Sequence, residues 1–463
     1  MTPVPLTRAA LAARGAPASA APVRIVHLGL GHFFRAHQAW FTARAADAHQ
    51  WGIAAFTGRS RHIADDLTAQ DGLFTLVERG PDGDRVEVVT SVSEAATGTD
   101  LTRLAALVSD PAVAIITLTV TESGYRLHAD GTPDPDDADL AADLRALGEH
   151  GTGAEPGTVL GRLVYALAAR RSAAAGPIAV VPCDNIPDNG AFLARGVTVA
   201  AARVDPSLAE WVRQNVSFVS TSVDRITPHA EAPDAVADAG WTDTAAVVTE
   251  PFADWVLAGR FPAGRPDWVS AGARCVDDIE PWENRKLWLL NGAHSILTFA
   301  GLPRGLTTVA EAMADAQCRA LVESFWDEAV RCLPDDADHV AYRAQLRERF
   351  ANPRIVHRLE QISVDATVKV QVRIAAVAER TLAAGRAPEG TVLALASWIG
   401  WVCTDTGARD ARTDEVVRAR DAADPVLALI ALVSPVLAAD AATVARVRAA
   451  GAVQDAASAD VLP

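Results

Sequence analysis

The feature that most constrains this chain is its N-terminal alternation of short apolar runs with helical segments. It opens with Ile25-Val26-His27-Leu28, passes through Gly29-Leu30-Gly31, and continues into an Ala-, Gln- and Arg-rich stretch reaching about residue 47. A strand running through a glycine turn into a helix is a βα unit. The apolar run 51–57 follows at crossover spacing, and 74–77 and 85–89 flank the hairpin signal Pro81-Asp82-Gly83. A helical run over 101–108 leads into 113–120, another over 159–171 leads into 178–182, and 216–223 reads as a further strand. This pattern predicts an α/β fold, a doubly wound and mostly parallel sheet of the Rossmann type. After about Pro281 the pattern becomes helical, over 282–300, 309–333 and 339–350 and in later Ala/Leu/Val/Arg segments. Three regions are therefore expected: an N-terminal extension (1–22), a Rossmann-type domain (23–281) and a mainly α-helical C-terminal domain (282–463).

Charge and cysteine content exclude several function classes. Against 42 Lys and Arg stand 58 Asp and Glu, a net charge of -16, and the resulting field repels nucleic acid and anionic membranes. A small anionic ligand in a locally cationic pocket is compatible with that exterior. The five cysteines, 183, 275, 318, 332 and 403, form no C-x-x-C pair and are odd in number, so neither a disulfide framework nor a zinc knuckle is indicated, and a cytoplasmic setting is expected. Residues 1–22 lack the apolar core of an export signal. The apolar segments 392–403 and 426–433 fall short of the ~18 residues that span a bilayer.

The chemistry-bearing residues are dispersed. Gly29 and Gly31, between a strand and a helix, let a backbone approach a pyrophosphate held by the helix N-terminus. A tight structural turn explains two glycines about as often, and the third glycine slot of the dinucleotide fingerprint holds Phe34. Arg35 is placed to add a phosphate contact. After the second strand, Thr57-Gly58-Arg59-Ser60-Arg61 offers no carboxylate to an adenosine ribose, so NAD and NADP both stay open. The densest polar cluster inside an apolar pattern is Lys286, Asn291 and His294. On an α-helix Lys286 and His294 lie about 80° apart and Asn291 about 60° beyond His294. Read alone, such residues are more often a snorkelling lysine and a capping or satisfied core polar group than a site. Cys183-Asp184-Asn185 and Asn189-Gly190, Asp224 and Glu122 each follow or end a strand, where open α/β sheets bind ligands.

Taken together, Ile25 to Gly31, Arg35-Ala36-His37-Gln38, Thr121-Glu122-x-Gly124-Tyr125, Cys183-Asp184-Asn185, Val223-Asp224-Arg225-Ile226-Thr227-Pro228, Gly264-Arg265-Pro266-x-Trp268 and Lys286-x4-Asn291-Gly292-x-His294-Ser295 resemble the mannitol dehydrogenase family of polyol-specific long-chain dehydrogenases. The resemblance runs from about residue 23 to at least Arg373. It implies metal-independent hydride transfer at an interdomain site, with Lys286 as acid/base, Asn185 and Asn291 as oxyanion donors and His294 orienting the substrate. By the same resemblance Asp224, Lys369 and Glu122 join the substrate site. Gly29, Gly31, Phe33, Arg35 and Arg59 are the expected cofactor contacts. The resemblance implies NAD(H) as cofactor, with NADP(H) open through Arg59 and Arg61. A monomer or a weak homo-oligomer is expected.

The chemistry suits those residue types: oxidising a secondary alcohol needs a neutral base beside donors for the developing alkoxide. A lysine serves if its pKa falls from about 10.4 towards roughly 7–8, which apolar surroundings such as Trp288 and Leu290 favour. Within the family, Asn352-Pro353-x-Ile355-x-His357-Arg358-x-x-Gln361-Ile362 with Lys369 and Arg373 looks most like fructuronate reductases. Arg358 or Arg373 would then hold a hexuronate carboxylate. Reduction of D-fructuronate to D-mannonate is expected. The alternatives are a mannitol 2-dehydrogenase, another polyol or tagaturonate dehydrogenase, and, from another class, a non-catalytic dinucleotide sensor.

Overall fold

A computed structural model describes residues 2–17, 19–58, 60–404 and 410–459, the side chains of 453–459 excepted. The chain divides into two compact units, residues 1–280 and 281–463. In the first, six strands form one parallel sheet: β1 (Val23–Leu28), β2 (Gly52–Phe56), β3 (Val92–Ala96), β4 (Ile115–Leu118), β5 (Ile178–Pro182) and β6 (Val216–Phe218). Their spatial order is β3-β2-β1-β4-β5-β6. That is the doubly wound order, whose direction reverses between β1 and β4 and leaves a crevice at their carboxyl ends. Ile25 on β1 is in register with Ile53 on β2 and with Ile115 on β4.

Side-chain alternation puts an apolar layer on each face. Val26, Leu28, Ile116, Leu118 and Val180 pack with Leu104, Leu163 and Leu193 from the helices Leu101–Val108, Val159–Ser172 and Asn189–Val204. Ile25, Ile53, Ile115 and Val181 pack on the other face with Phe34, Phe41, Trp255 and Trp268.

Three local outcomes differ from the pattern in the sequence. The hairpin Phe74–Gly80 and Gly83–Val89 does not extend the main sheet; with Val247–Thr249 it forms a sheet of its own. The apolar run 216–223 is not one strand. After β6 the chain leaves the main sheet, and Ser220–Asp224 pairs antiparallel with Asp254–Ala258. The cause is Asn189: its Oδ1 accepts from Thr221 N at 2.8 Å and its Nδ2 donates to Thr221 O at 3.2 Å, so one amide side chain occupies the edge that β5 would otherwise continue to pair. Finally, the stretch before β1 packs onto the first unit. Val4–Pro5 pairs in parallel with Trp241–Thr242, and the Arg14 guanidinium lies 3.5 Å from the centroid of the Trp241 ring.

The second unit is built on the buried helix Ala293–Gly301, which packs against Ala316–Ala329, Leu359–Ser363 and Gly390–Thr404. The helical run 309–333 breaks at Asp315, whose carboxylate accepts from the amides of Gln317 and Cys318 and starts a new helix there. Among the described residues no helix is long and apolar enough to cross a membrane.

Candidate active site

At the crevice of the first unit, β1 ends in Gly29. Its φ of +112° and an added Cβ lying 2.2 Å from Thr119 O make glycine obligatory there. Gly31 is different. Its φ of -133° suits any residue, and an added Cβ would meet only Gly29 O at 3.5 Å. The space beside Gly31 is therefore open, at the start of a helical segment that runs without interruption from His32 to Arg44. Amides at such a terminus lack helical acceptors. A cradle of this form suits a pyrophosphate.

The third position of the fingerprint is filled by packing: Phe34 stacks on His27 of β1, ring centroids 3.6 Å apart at 12°. His27 is fully buried between Thr117 and Thr119, 2.8 and 3.1 Å from its ring nitrogens, and burial pulls its pKa down to about 3. His32 opens the helix in edge contact with His229, centroids 4.4 Å apart, and burial pulls it down to about 4, with Arg35 and His229 adding to the effect.

Arg35, an expected phosphate contact, is buried. Its guanidinium turns into the core, where Nη1 donates to Ala245 O and Nε to Gly31 O at 3.2 Å, because a side chain four residues into this helix faces the strand layer beneath it. Phe33 is half-buried and stacks on His37, centroids 4.9 Å apart. Arg59 lies outside the described residues, and Arg61 is exposed and paired with Asp65 at 2.9 Å. Arg162, which pattern reading passed over, reaches the loop after β2 from its helix and donates to Gly58 O at 3.3 Å.

The loop after β5 carries Cys183, Asp184 and Asn185. Tyr125 donates to Asp184 Oδ2 at 2.6 Å, Ile186 N to Asp184 Oδ1 at 3.2 Å, and Asn189 Nδ2 to Asp184 O at 3.4 Å. The turn presenting Asn185 is thus tied down on both sides. Burial raises the Asp184 carboxyl, and burial together with Asp184 pushes the Cys183 thiol far up, which leaves it inert. Glu122 is exposed and, with Ile186, Pro187 and Phe192, lines a cavity of about 470 Å³. Asp224 is buried at the end of its strand. The next residue, Arg225, anchors that strand end by an ion pair to Glu78 (2.8 Å) and a hydrogen bond to Ala36 O (2.7 Å) on the helix after the cradle.

In the second unit, Lys286 to Gly292 is a π-helix that continues into Ala293–Gly301. Regular α geometry separates Lys286 from Asn291 by about 140°. Bonding from i to i+5 widens the turn and brings residues five apart to nearly the same side. The wide turn loosens carbonyls that other groups then take: Trp326 Nε1 donates to Leu289 O at 2.8 Å, and Arg373 Nη1 to Asn291 O at 3.3 Å. Gly292 is needed because an added Cβ would meet the Phe325 ring at 2.7 Å.

Arg373 sits on a second π-helix, Gln371–Ala375, which packs against the first. It also donates to Ser295 Oγ at 3.1 Å, it has no carboxylate partner among the described residues, and burial pulls its pKa to about 10. Lys369 lies in its field and donates to Ile362 O at 3.0 Å and to Val364 O; burial and Arg373 lower its pKa. His294 is buried, and burial, then His357, Arg349 and Arg373, hold its pKa well below the usual range. Arg358 does not join this cluster. It is exposed, with only its backbone bridged to Thr308. Asn185, Asp224 and Glu122 thus belong to the first unit, and Lys286, Asn291, His294, Lys369 and Arg373 to the second.

Residues 23–270 match the mannitol dehydrogenase Rossmann domain and residues 278–450 the mannitol dehydrogenase C-terminal domain. The chain belongs to the mannitol dehydrogenase family. It is an NAD(P)-dependent oxidoreductase acting on CH–OH groups. Among its relatives, D-mannonate oxidoreductase of Escherichia coli is 34% identical over 88% of this chain and 83% of its own length. D-arabinitol 4-dehydrogenase of Ralstonia nicotianae is 36% identical over 82% and 83%. The structure of Pseudomonas fluorescens mannitol 2-dehydrogenase with NAD and D-mannitol superposes with a TM-score of 0.74 at 30% identity, covering 93% of this chain and 92% of that one. The family thus agrees with the Rossmann-type sheet followed by a helical domain.

Proposed function

We propose that this mannitol dehydrogenase family member reduces D-fructuronate to D-mannonate with NAD(H). The observation carrying the substrate class is Arg373, a half-buried cation with no carboxylate partner among the described residues, beside Asn291 and His294. Keeping a cation there is unfavourable unless a ligand supplies the counter-charge. A hexuronate does, and a hexitol does not. The D-mannonate oxidoreductase relative supports the same reading.

The cradle at Gly29 and Gly31 fits a dinucleotide, because of these two glycines the one that no protein atom requires, Gly31, borders the open space. A nicotinamide bound from that cradle supplies the hydride. Lys286, as an ammonium, gives its proton to the oxygen of the carbonyl being reduced, and as the neutral amine takes it back in the oxidative direction. The Asn291 amide, on the same helical segment as Lys286, donates to that oxygen as it gains charge, which removes the need for a metal ion in this role. His294 orients a neighbouring hydroxyl and Arg373 holds the carboxylate.

The test is a panel: purified protein with NADH or NADPH against fructuronate, tagaturonate, fructose, xylulose and, in reverse, D-arabinitol and mannitol. The highest kcat/KM is expected for fructuronate with NADH. A higher value for an uncharged sugar overturns the substrate assignment, and a tenfold preference for NADPH overturns the cofactor assignment.

A further inference from the structure

His294 and His357 meet edge to face in the second unit, ring centroids 4.8 Å apart and planes at 81°. His294 Nε2 and His357 Nδ1 are both buried, and neither has a hydrogen-bond partner among the described residues. An unsatisfied buried polar atom is rare, and two on adjoining rings are a pair in need of the same remedy. Phe350, 4.8 Å from the His294 ring centroid, closes another side with carbon. The His357 backbone is fixed, since its carbonyl accepts from Val309 N at 3.0 Å. The χ2 wells of histidine are broad, so a small rotation lets one ring nitrogen donate to the other.

We infer that His357 is a positioning residue: its Nδ1 accepts a hydrogen bond from His294 Nε2–H and so fixes His294 in the tautomer that turns the Nδ1 lone pair towards a substrate hydroxyl. The direction follows from the surroundings. Arg373 and Lys369 are cations and offer a hydroxyl donors alone, whereas a neutral His294 whose Nε2–H is turned to His357 offers the hydroxyl proton a lone pair at Nδ1. Both rings are held neutral by burial, so each carries one proton and one lone pair. The inference rests on reading His294 as the substrate-orienting residue, and its spectroscopic arm requires no substrate.

The test is NMR of the full chain labelled with 15N-histidine, with His294→Gln used to assign the resonance. A slowly exchanging His294 Nε2 proton is expected, with a through-hydrogen-bond 15N–15N coupling to His357. In His357→Phe the coupling and the protection should vanish and kcat/KM should fall about tenfold, the scale of one lost hydrogen bond, with NADH affinity unchanged. His357→Asn, whose Oδ1 can accept where Nδ1 did, should restore most of that loss. The inference is overturned if the coupling is absent, or if the Asn variant is as impaired as the Phe variant. If His357→Phe does not fold, the native spectrum and the Asn variant decide by themselves.

Discussion

Replacing Arg373 with alanine separates a carboxylate-binding role from a purely structural one. Burial lowers its pKa from 12.5 to about 10, which puts the penalty of the bare cation at roughly 3 kcal/mol. One Nη donates to Asn291 O and Ser295 Oγ, and on the proposed reading the other takes the ligand carboxylate. One charge-assisted hydrogen bond is worth about 1.5–3 kcal/mol, so kcat/KM for fructuronate should fall by about 10- to 150-fold. Arg373 also takes a carbonyl loosened by the π-turn, and losing that contact would disturb Asn291 for every substrate alike. Steady-state kinetics on fructuronate and on fructose therefore discriminate: a loss confined to the charged substrate supports carboxylate binding, whereas equal losses on both, or none on either, would refute it. Arg358→Ala, at an exposed position, should change neither.

Lys286→Ala should lower turnover by roughly 100-fold or more while NADH still quenches tryptophan fluorescence with unchanged affinity, and near-normal turnover would remove Lys286 from the chemistry. Gly31→Ala should fold with an unchanged Tm yet bind NADH at least about tenfold more weakly, because its Cβ enters open space at the cradle; Gly29→Ala, strained and in collision with Thr119, should lose stability instead, and the reverse order would contradict the cradle. The buried His27, at about 3 against 6.5 when unfolded, lets the unfolded chain bind the extra proton between those values, so stability falls as pH drops through that window. At pH 4.5 the loss is about 2–3 kcal/mol, and His27→Gln should flatten that dependence in urea titrations; an unaltered slope would exclude His27 as its source.

How much was legible in the sequence depended on the range of the interaction. Gly29-Leu30-Gly31 could be read because a βα turn is local, and the doubly wound order followed from alternation alone. The burial of Arg35 was not legible, because its partner, the Ala245 carbonyl, is 210 residues away and no pattern near residue 35 signals it. The break after β6 is set by Asn189, whose amide stands in for a strand partner. In the sequence the same residue is an Asn-Gly turn signal. His357 was visible as a residue type, but its pairing with His294 depends on how residues 351–358 fold back over the helix Ala293–Gly301.

The π-turns explain why the proposed catalytic cluster resisted helical periodicity. Such segments are rare in proteins, yet here one holds Lys286 and Asn291 and another holds Arg373. A wider turn inserts, in effect, one residue into the helix, so every position before it rotates relative to those after it by about 100°. Ala293–Gly301 keeps an ordinary buried helix for the core. Upstream of it, the shifted phase swings Lys286 towards the side of Asn291, and the carbonyls loosened by the shift are taken by Trp326 and Arg373. Restoring regular α geometry would leave the core contacts of Ala293–Gly301 in place and turn Lys286 away from Asn291. On the proposed roles, the π-turn lets one helix serve both as a packed core element and as the carrier of Lys286 and Asn291.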